Sequence, residues 1–173
     1  MPEATSNSNS NNKLIYFISI MHSNCFTDKN AIESIIRDCQ VCYVGMVDCD
    51  NSPYVVPFNF GYEDGYIYLH SAREGRKMDI LKKNNRVCVV FSTGHELRHQ
   101  SEGVACSYSM KYMSVMAFGY VEFIEDYDQK VEILNKVMMH YTSKEFTYNA
   151  PSIREVSTYR VVINEITGKK LGY

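Results

Sequence analysis

The residues best placed to do chemistry lie between Tyr54 and Ser92, in the stretch YVVPFNFGYEDGYIYLHSAREGRKMDILKKNNRVCVVFS. Within it His70-Ser71 closes an apolar run, and Gly75-Arg76-Lys77 follows. Ser71 and Glu74 stand at capping-box spacing, so a helix is expected to open there. A strand that feeds a helix start with a glycine and cations in its first turn makes an anion site. Free backbone N–H groups point outward, the dipole end is positive, and the missing Cβ permits close approach. From Tyr66 to Lys83 the cations Arg73, Arg76, Lys77, Lys82 and Lys83 outnumber Glu74 and Asp79, in a chain whose net charge is −2. This segment reads as a phosphate grip, with Ser71, Gly75, Arg76 and Lys77 at one helix start and His70 just before it.

Other constellations are weaker. Cys39 and Cys42 have C-x-x-C spacing. No second pair or His pair follows at zinc-ligand spacing. Cys39 is expected to end a helix and Cys42 to lie on a strand, whereas a redox pair sits at a helix start. Structural thiols are the simplest account, with redox and metal roles as alternatives, and reduced thiols fit a cytoplasmic protein. His95 and His99 would share a face if helical, but nothing else at ligand spacing supports a metal, and they read as surface residues. No metal site is assigned. No Ser/His/Asp order, paired carboxylates, G-x-G-x-x-G or Walker motif is present, so neither hydrolysis nor a Rossmann or P-loop device has support.

These residues need a scaffold, and 173 residues suffice for one domain with a real core. A pI near 6.2 gives no support for a nucleic-acid partner. No run approaches the roughly 18–20 apolar residues of a membrane span. Residues 1–20, with the Ser/Asn-rich tract Thr5–Asn12, read as a disordered or non-domain leader, Met21 being an alternative start; the domain is expected over 21–173. Asp28 is positioned to cap a helix from Lys29 to Cys39, with Ile32, Ile35, Ile36 and Cys39 on one face. Strands are expected over 41–48, Tyr54–Tyr62, Tyr66–Ser71, Arg86–Ser92, Cys106–Tyr112, Ser114–Phe123 and Thr158–Thr167. Asp64-Gly65 predicts a type I′ hairpin, and Gly119 a bulge. Pro57 marks either an edge strand or a place where unpaired backbone faces a ligand. Thr93–Gly103 and Thr142–Ser152 read as loops, Pro151 being a stop. Asp126 and Gln129 have capping spacing, and Val131, Leu134, Val137, Met138 and Tyr141 form a helical stripe read as core packing. Many hairpin-linked strands plus three helices predict an α+β, mainly antiparallel barrel.

The segment VVPFNFGYEDGYIYLHSAREGRKMDIL resembles the flavin-binding split-barrel proteins related to pyridoxamine 5'-phosphate oxidase, and within them the nitroimidazole-resistance subgroup. A second match is Met110-Lys111-Tyr112-Met113-Ser114-Val115, followed by Gly119; the subgroup has arginine where this chain has Met113. A third, weaker one is Glu165-Ile166-Thr167-Gly168-Lys169. The resemblance implies a homodimer of six-stranded split barrels with FMN at the subunit interface. It assigns Val56, Pro57, Phe58 and Asn59 to the isoalloxazine. It gives His70, Ser71 and Lys77 to the ribityl-phosphate side, with Gly75 allowing backbone approach, and Ser114 and Val115 to a second wall. His70 is the candidate for a catalytic or substrate-site role. Met113 removes whatever contact the subgroup's arginine makes.

A bound flavin carries the redox chemistry and needs few ionisable partners. The leading expectation is therefore an FMN-dependent oxidoreductase passing electrons from NAD(P)H to a small organic acceptor, such as a nitroimidazole. The alternatives are a non-catalytic flavin-binding redox module, a pyridoxamine-phosphate oxidase-like enzyme, and a barrel for an unrelated phosphate ligand; a deazaflavin or haem in place of FMN also stays open.

Overall fold

The structure, a computed structural model, describes residues 24–173; the leader expected over residues 1–20 lies outside the described residues. In chain order the elements are β1 (Cys25–Phe26), α1 (Lys29–Asp38), β2 (Cys42–Val47), β3 (Pro53–Phe58), β4 (Gly61–Glu63), β5 (Tyr66–Ala72), α2 (Arg76–Lys83), β6 (Arg86–Arg98), a 3-10 turn (Ala105–Ser107), β7 (Ser109–Ile124), α3 (Tyr127–Thr142), α4 (Ala150–Arg154) and β8 (Val156–Leu171). Every strand pair is antiparallel. The path across the sheet is β3-β2-β6-β7-β8-β5-β4, with β1 added to β8.

That order dictates the shape. Laid flat, the two ends of the path, β3 and β4, would stand about 29 Å apart at the usual strand spacing. Yet only Asn59 and Phe60 separate them in sequence, a link that reaches about 11 Å at most. The sheet must therefore curl until its ends meet at this corner without a ladder between them, which is a split barrel.

Inward residues fill it. Val44, Val89, Phe91, Val115, Leu69 and Val161 are all at most 1% exposed. From α1, Ile32, Ile35 and Ile36 join the same cluster; each buried aliphatic side chain contributes about 1.5–3 kcal/mol. Asp28 caps α1 by accepting from the Ala31 N–H at 2.8 Å. α3 lies across β4 so closely that a Cβ on Gly61 would meet the Lys136 carbonyl at 2.6 Å. Its Tyr141 hydroxyl accepts from the Phe60 N–H at 3.1 Å and donates to the Gln40 carbonyl at 2.9 Å. The backbone freed where β3 stops and β4 starts is thus satisfied by α3 rather than left open.

Several expectations change. The run Tyr54–Tyr62 is two strands, broken at Asn59-Phe60, and with β1 the sheet has eight strands instead of six. Pro57 sits on β3, an end strand of the path, where its missing N–H costs no ladder bond on the free side. Residues 93–98 extend β6 instead of forming a loop, because Gly94 at φ +66 absorbs a register shift between Thr93 and Glu96. β7 is one strand through Met113. Pro151 opens α4 rather than stopping anything, since the first helical turn has no use for its N–H. The α3 stripe is Lys130, Ile133, Leu134 and Val137, one residue out of phase with the expected Val131 start. Lys130 packs its stem inward and its amine reaches the Val156 carbonyl at 3.2 Å. The type I′ turn is present, with Asp64 at φ +51 and Gly65 at φ +81.

Gly119 lies where β7 and β8 shift register. A Cβ there would stand 2.0 Å from the Val162 carbonyl oxygen, and backbone cannot yield as a side chain does. Gly119→Ala is expected to lower stability by about 2–3 kcal/mol, read as a lower urea midpoint at an unchanged slope.

Candidate functional site

β5 keeps pairing with β8 as far as Ala72, opposite Val156. Ser71 is therefore a strand residue with its side chain turned into the core, not the cap expected at Ser71–Glu74. It is 7% exposed, and its hydroxyl donates to the Ala72 carbonyl at 2.9 Å and toward the Met78 sulfur at 3.4 Å. The helix opens later. Gly75 is the N-cap at φ +114, no side chain caps α2, and a Cβ at Gly75 would have nothing within 4 Å. An uncapped helix start beside open space leaves first-turn N–H groups free for an anion.

The five cations of this segment do not act together. Arg73 donates to the Arg154 carbonyl at 2.8 Å. Arg76 lies 3.7 Å from the Asp48 carboxylate and covers the Tyr54 ring at 4.8 Å. Lys82 and Lys83 occupy the last turn of α2, at the far end from Gly75. Lys77, next to Gly75, makes no ion pair among the described residues; its ammonium sits 5.0 Å from the centre of the Phe58 ring. The positive balance read along the sequence thus narrows to one poised lysine.

His70 completes the corner. Its Nδ1 is buried and has no hydrogen-bond partner among the described residues. Burial, and after it the charge of Lys77, hold the imidazole pKa below its ordinary value, so the ring is neutral at neutral pH. A neutral imidazole with one unused ring nitrogen can donate or accept toward a ligand.

Phe58, His70, Ser71, Gly75 and Lys77 therefore converge where β3, β5 and the start of α2 meet. Val56 is half-buried on β3, and Pro57 and Asn59 are exposed on either side of Phe58. Ser114 and Val115 are not brought there within one chain. Val115 belongs to the row Phe58–Cys42–Phe91–Val115, three strand spacings or about 14 Å from Phe58 along the sheet. Its side chain is fully buried in the core, so only its backbone is available to a ligand; Ser114 is half-buried on the opposite face. Met113, in place of the arginine, packs against the core.

The remaining motifs resolve as structure. Burial pushes the Cys39 thiol up to about 11 and the Cys42 thiol up to about 12, and Cys39 donates to the Ile35 carbonyl. Neither is a nucleophile at neutral pH. His95 pairs with Ser92 at 2.8 Å, while His99 stacks near Tyr108 at 4.7 Å. A hollow of about 630 Å³ lies away from the corner, between Arg37 and Tyr62 on one side and Glu132, Lys136 and His140 on the other. Its lysine is already held by Glu63 and Glu132. Sequence reading missed Tyr159, which is fully buried with an unpartnered hydroxyl; a tyrosine at an inward position of the last strand was the available signal.

Fold and corner together define a split-barrel protein with an uncapped strand-to-helix turn at its open corner. The family described as pyridoxamine 5'-phosphate oxidase matches residues 28–170, and the chain belongs to that family. Among solved structures it is similar to a candidate 5-nitroimidazole antibiotic resistance protein from Bacteroides thetaiotaomicron. The two are 46% identical, over 84% of this chain and 86% of that one, at a TM-score of 0.76. The fold is shared with the flavocytochrome Anf3 from Azotobacter vinelandii (22% identity, 88% of this chain, 71% of that one, TM-score 0.74). It is also shared with the FAD- and heme-binding protein from Mycobacterium smegmatis (16% identity, 87% and 74%, TM-score 0.76). Comparison with curated proteins gives no match.

The His70 shift has a measurable sign. Its folded pKa is depressed, so its contribution is intact above about pH 6.5, the ordinary value; below it the unfolded chain takes a proton that the folded chain resists. Wild type is expected to lose more stability than His70→Asn between about pH 7.5 and about pH 5.5. Equal losses in urea titrations at the two pH values would show that His70 is not held neutral.

Proposed function

We infer that this protein is an FMN-dependent oxidoreductase that takes electrons from NAD(P)H and delivers them to a small organic acceptor, nitroimidazoles being the first class to test. The observation that carries the reading is the corner: an uncapped helix start at Gly75, an unpaired Lys77 ammonium and a buried, unpartnered His70 Nδ1 converge on Phe58. Family membership and the 46% identical relative, named for nitroimidazole resistance, support it. So do the flavin-binding names of more distant proteins that share the fold.

The residues fit a flavin mononucleotide. Lys77, Ser71 and the N–H groups beside Gly75 would hold the phosphate, because a dianion gains most from a desolvated cation and charge-assisted hydrogen bonds. Val56, Pro57, Phe58 and Asn59 would lie along the ring system, with Phe58 as an apolar wall. A bound flavin supplies the hydride and single-electron chemistry. His70, neutral and with one free ring nitrogen, would orient a substrate or hold a proton beside it without adding charge.

Ser114 and Val115 reach such a site from a second copy of the chain. One face of the sheet supports a homodimer. Tyr43, Val47, Val55, Met116 and Phe118 are 41–60% exposed. Ladder registers place Tyr43, Val90 and Met116 in one row and Gly45, Cys88 and Phe118 in the next. A continuous apolar face of this kind marks an association surface. Among the described residues no helix is long and apolar enough to cross a membrane, and all six cysteines are free; a cytoplasmic location is part of this proposal.

The test starts with the visible spectrum of the purified protein and mass spectrometry of the ligand released on denaturation. The proposal expects FMN, and NAD(P)H consumption with a nitro acceptor. Protein that holds no flavin and takes up none defeats it, while flavin binding without turnover leaves a redox module. Lys77→Ala should weaken FMN binding by about 1–3 kcal/mol in titration calorimetry. Phe118→Lys should shift the protein from dimer to monomer in analytical ultracentrifugation, because a charge cannot be buried unpaired at an interface.

A further inference from the structure

Tyr159 is the largest side chain with no exposed surface among the described residues. Its ring meets Phe58 edge-on with centroids 6.2 Å apart, and Phe123 at 5.5 Å. Its hydroxyl has no hydrogen-bond partner among the described residues. An unpaired buried hydroxyl costs about 1–3 kcal/mol, and phenylalanine would fill the same space without that cost. The oxygen therefore calls for a role outside core packing.

The polar group nearest it across the ladder is Ser71: Leu69 pairs with Tyr159 and Ser71 with Ser157, so Ser71 lies diagonally opposite Tyr159 on the same inward face. The Ser71 hydroxyl has one proton and two acceptors in reach, the Ala72 carbonyl at 2.9 Å and the weak Met78 sulfur at 3.4 Å. No donor reaches its oxygen among the described residues. Met78 lies in the first turn of α2, directly after Lys77, so the Ser71 hydroxyl is already beside the helix start. Phe58 links the two sides: its ring carries the Lys77 ammonium and packs on Tyr159. A buried donor, a serine oxygen able to accept, and an open helix start thus lie in series.

We propose that Tyr159 is a positioning residue for the anion corner: when a phosphate occupies the corner, the Ser71 hydroxyl turns toward it, beside Lys77 and the first turn of α2, and the Tyr159 hydroxyl donates to the Ser71 oxygen and holds it there. The inference rests on the corner being a phosphate grip. Tyr159 itself touches no ligand. It acts through Ser71, and the unpaired hydroxyl is the cost of keeping that donor ready.

The experiment compares FMN with riboflavin, which has the same ring system and ribityl chain but no phosphate, on the full chain stripped of ligand. Tyr159→Phe is expected to lower FMN affinity about ten- to a hundredfold, the worth of one hydrogen bond to a charged group, and to leave riboflavin affinity within about twofold. Ser71→Ala should do the same, and the double variant should lose little more, since the two hydroxyls act as one unit. The ligand-free Tyr159→Phe protein should melt at or above the wild-type temperature. Unchanged FMN affinity in Tyr159→Phe overturns the proposal, and so does an equal loss for both ligands or a fall in melting temperature, either of which would make the hydroxyl structural. Wild type that binds FMN no better than riboflavin overturns the phosphate grip and this inference with it, whereas wild type that binds neither removes the flavin reading itself.

Discussion

Asn59 and Phe60 are the whole connection between the two end strands of the sheet, and that short tether is the constraint on which the structure depends. It forces the sheet to curl, and curling gives the inward residues an enclosed space to fill. It also leaves the barrel open at one corner, because β3 and β4 meet without a ladder. The price of the opening is a freed backbone N–H at Phe60, which Tyr141 of α3 accepts. The close seat of that helix on Gly61 follows from the same requirement.

The opening is also where chemistry can happen. β3 ends there at Phe58, and β5 delivers His70 and Ser71 beside the start of α2. Strand pairing determines which side chains turn inward. Because β5 stays in register with β8 through Ala72, Ser71 faces the core next to Tyr159 and the helix must wait for Gly75. Without a side-chain cap, α2 keeps its first N–H groups for something else. One lysine out of five cations remains free to join them, since the others are engaged nearby or lie at the wrong end of the helix. The proposed anion grip therefore rests on the geometry of this corner, which a count of charges overstates.

The opposite face of the sheet shows the complementary logic. A curled sheet buries one face and presents the other, and here the presented face carries Tyr43, Val55, Met116 and Phe118, with Glu165 opposite Phe118 on the next strand. Ser114 lies on that face, while Val115 next to it is sunk in the core. The residues that the family resemblance groups around one ligand are thus divided within a single chain between an inner corner and an outer wall. The proposed homodimer, with a second copy docked on the apolar face, would reunite them.

Local signals in the sequence determined what depends on neighbours a few positions apart. The caps at Asp28 and Asp126, the type I′ turn at Asp64-Gly65, the isoleucine face of α1, the bulge at Gly119 and the strand-to-helix turn after His70 were all legible, because each arises from backbone geometry or a short periodicity. The resemblance carried by VVPFNFGYEDGYIYLHSAREGRK supplied the barrel and the family. Only the tertiary structure decided the rest. That Tyr54–Tyr62 breaks in two, that Ser71 is a core strand residue instead of a cap, that residues 93–98 remain in a strand and that Lys77 lies over the Phe58 ring all depend on which strand lies alongside. The orphan hydroxyl of Tyr159 belongs to the same class. A side chain's partners are set by residues dozens of positions away, and no local pattern encodes whether a buried oxygen will find one.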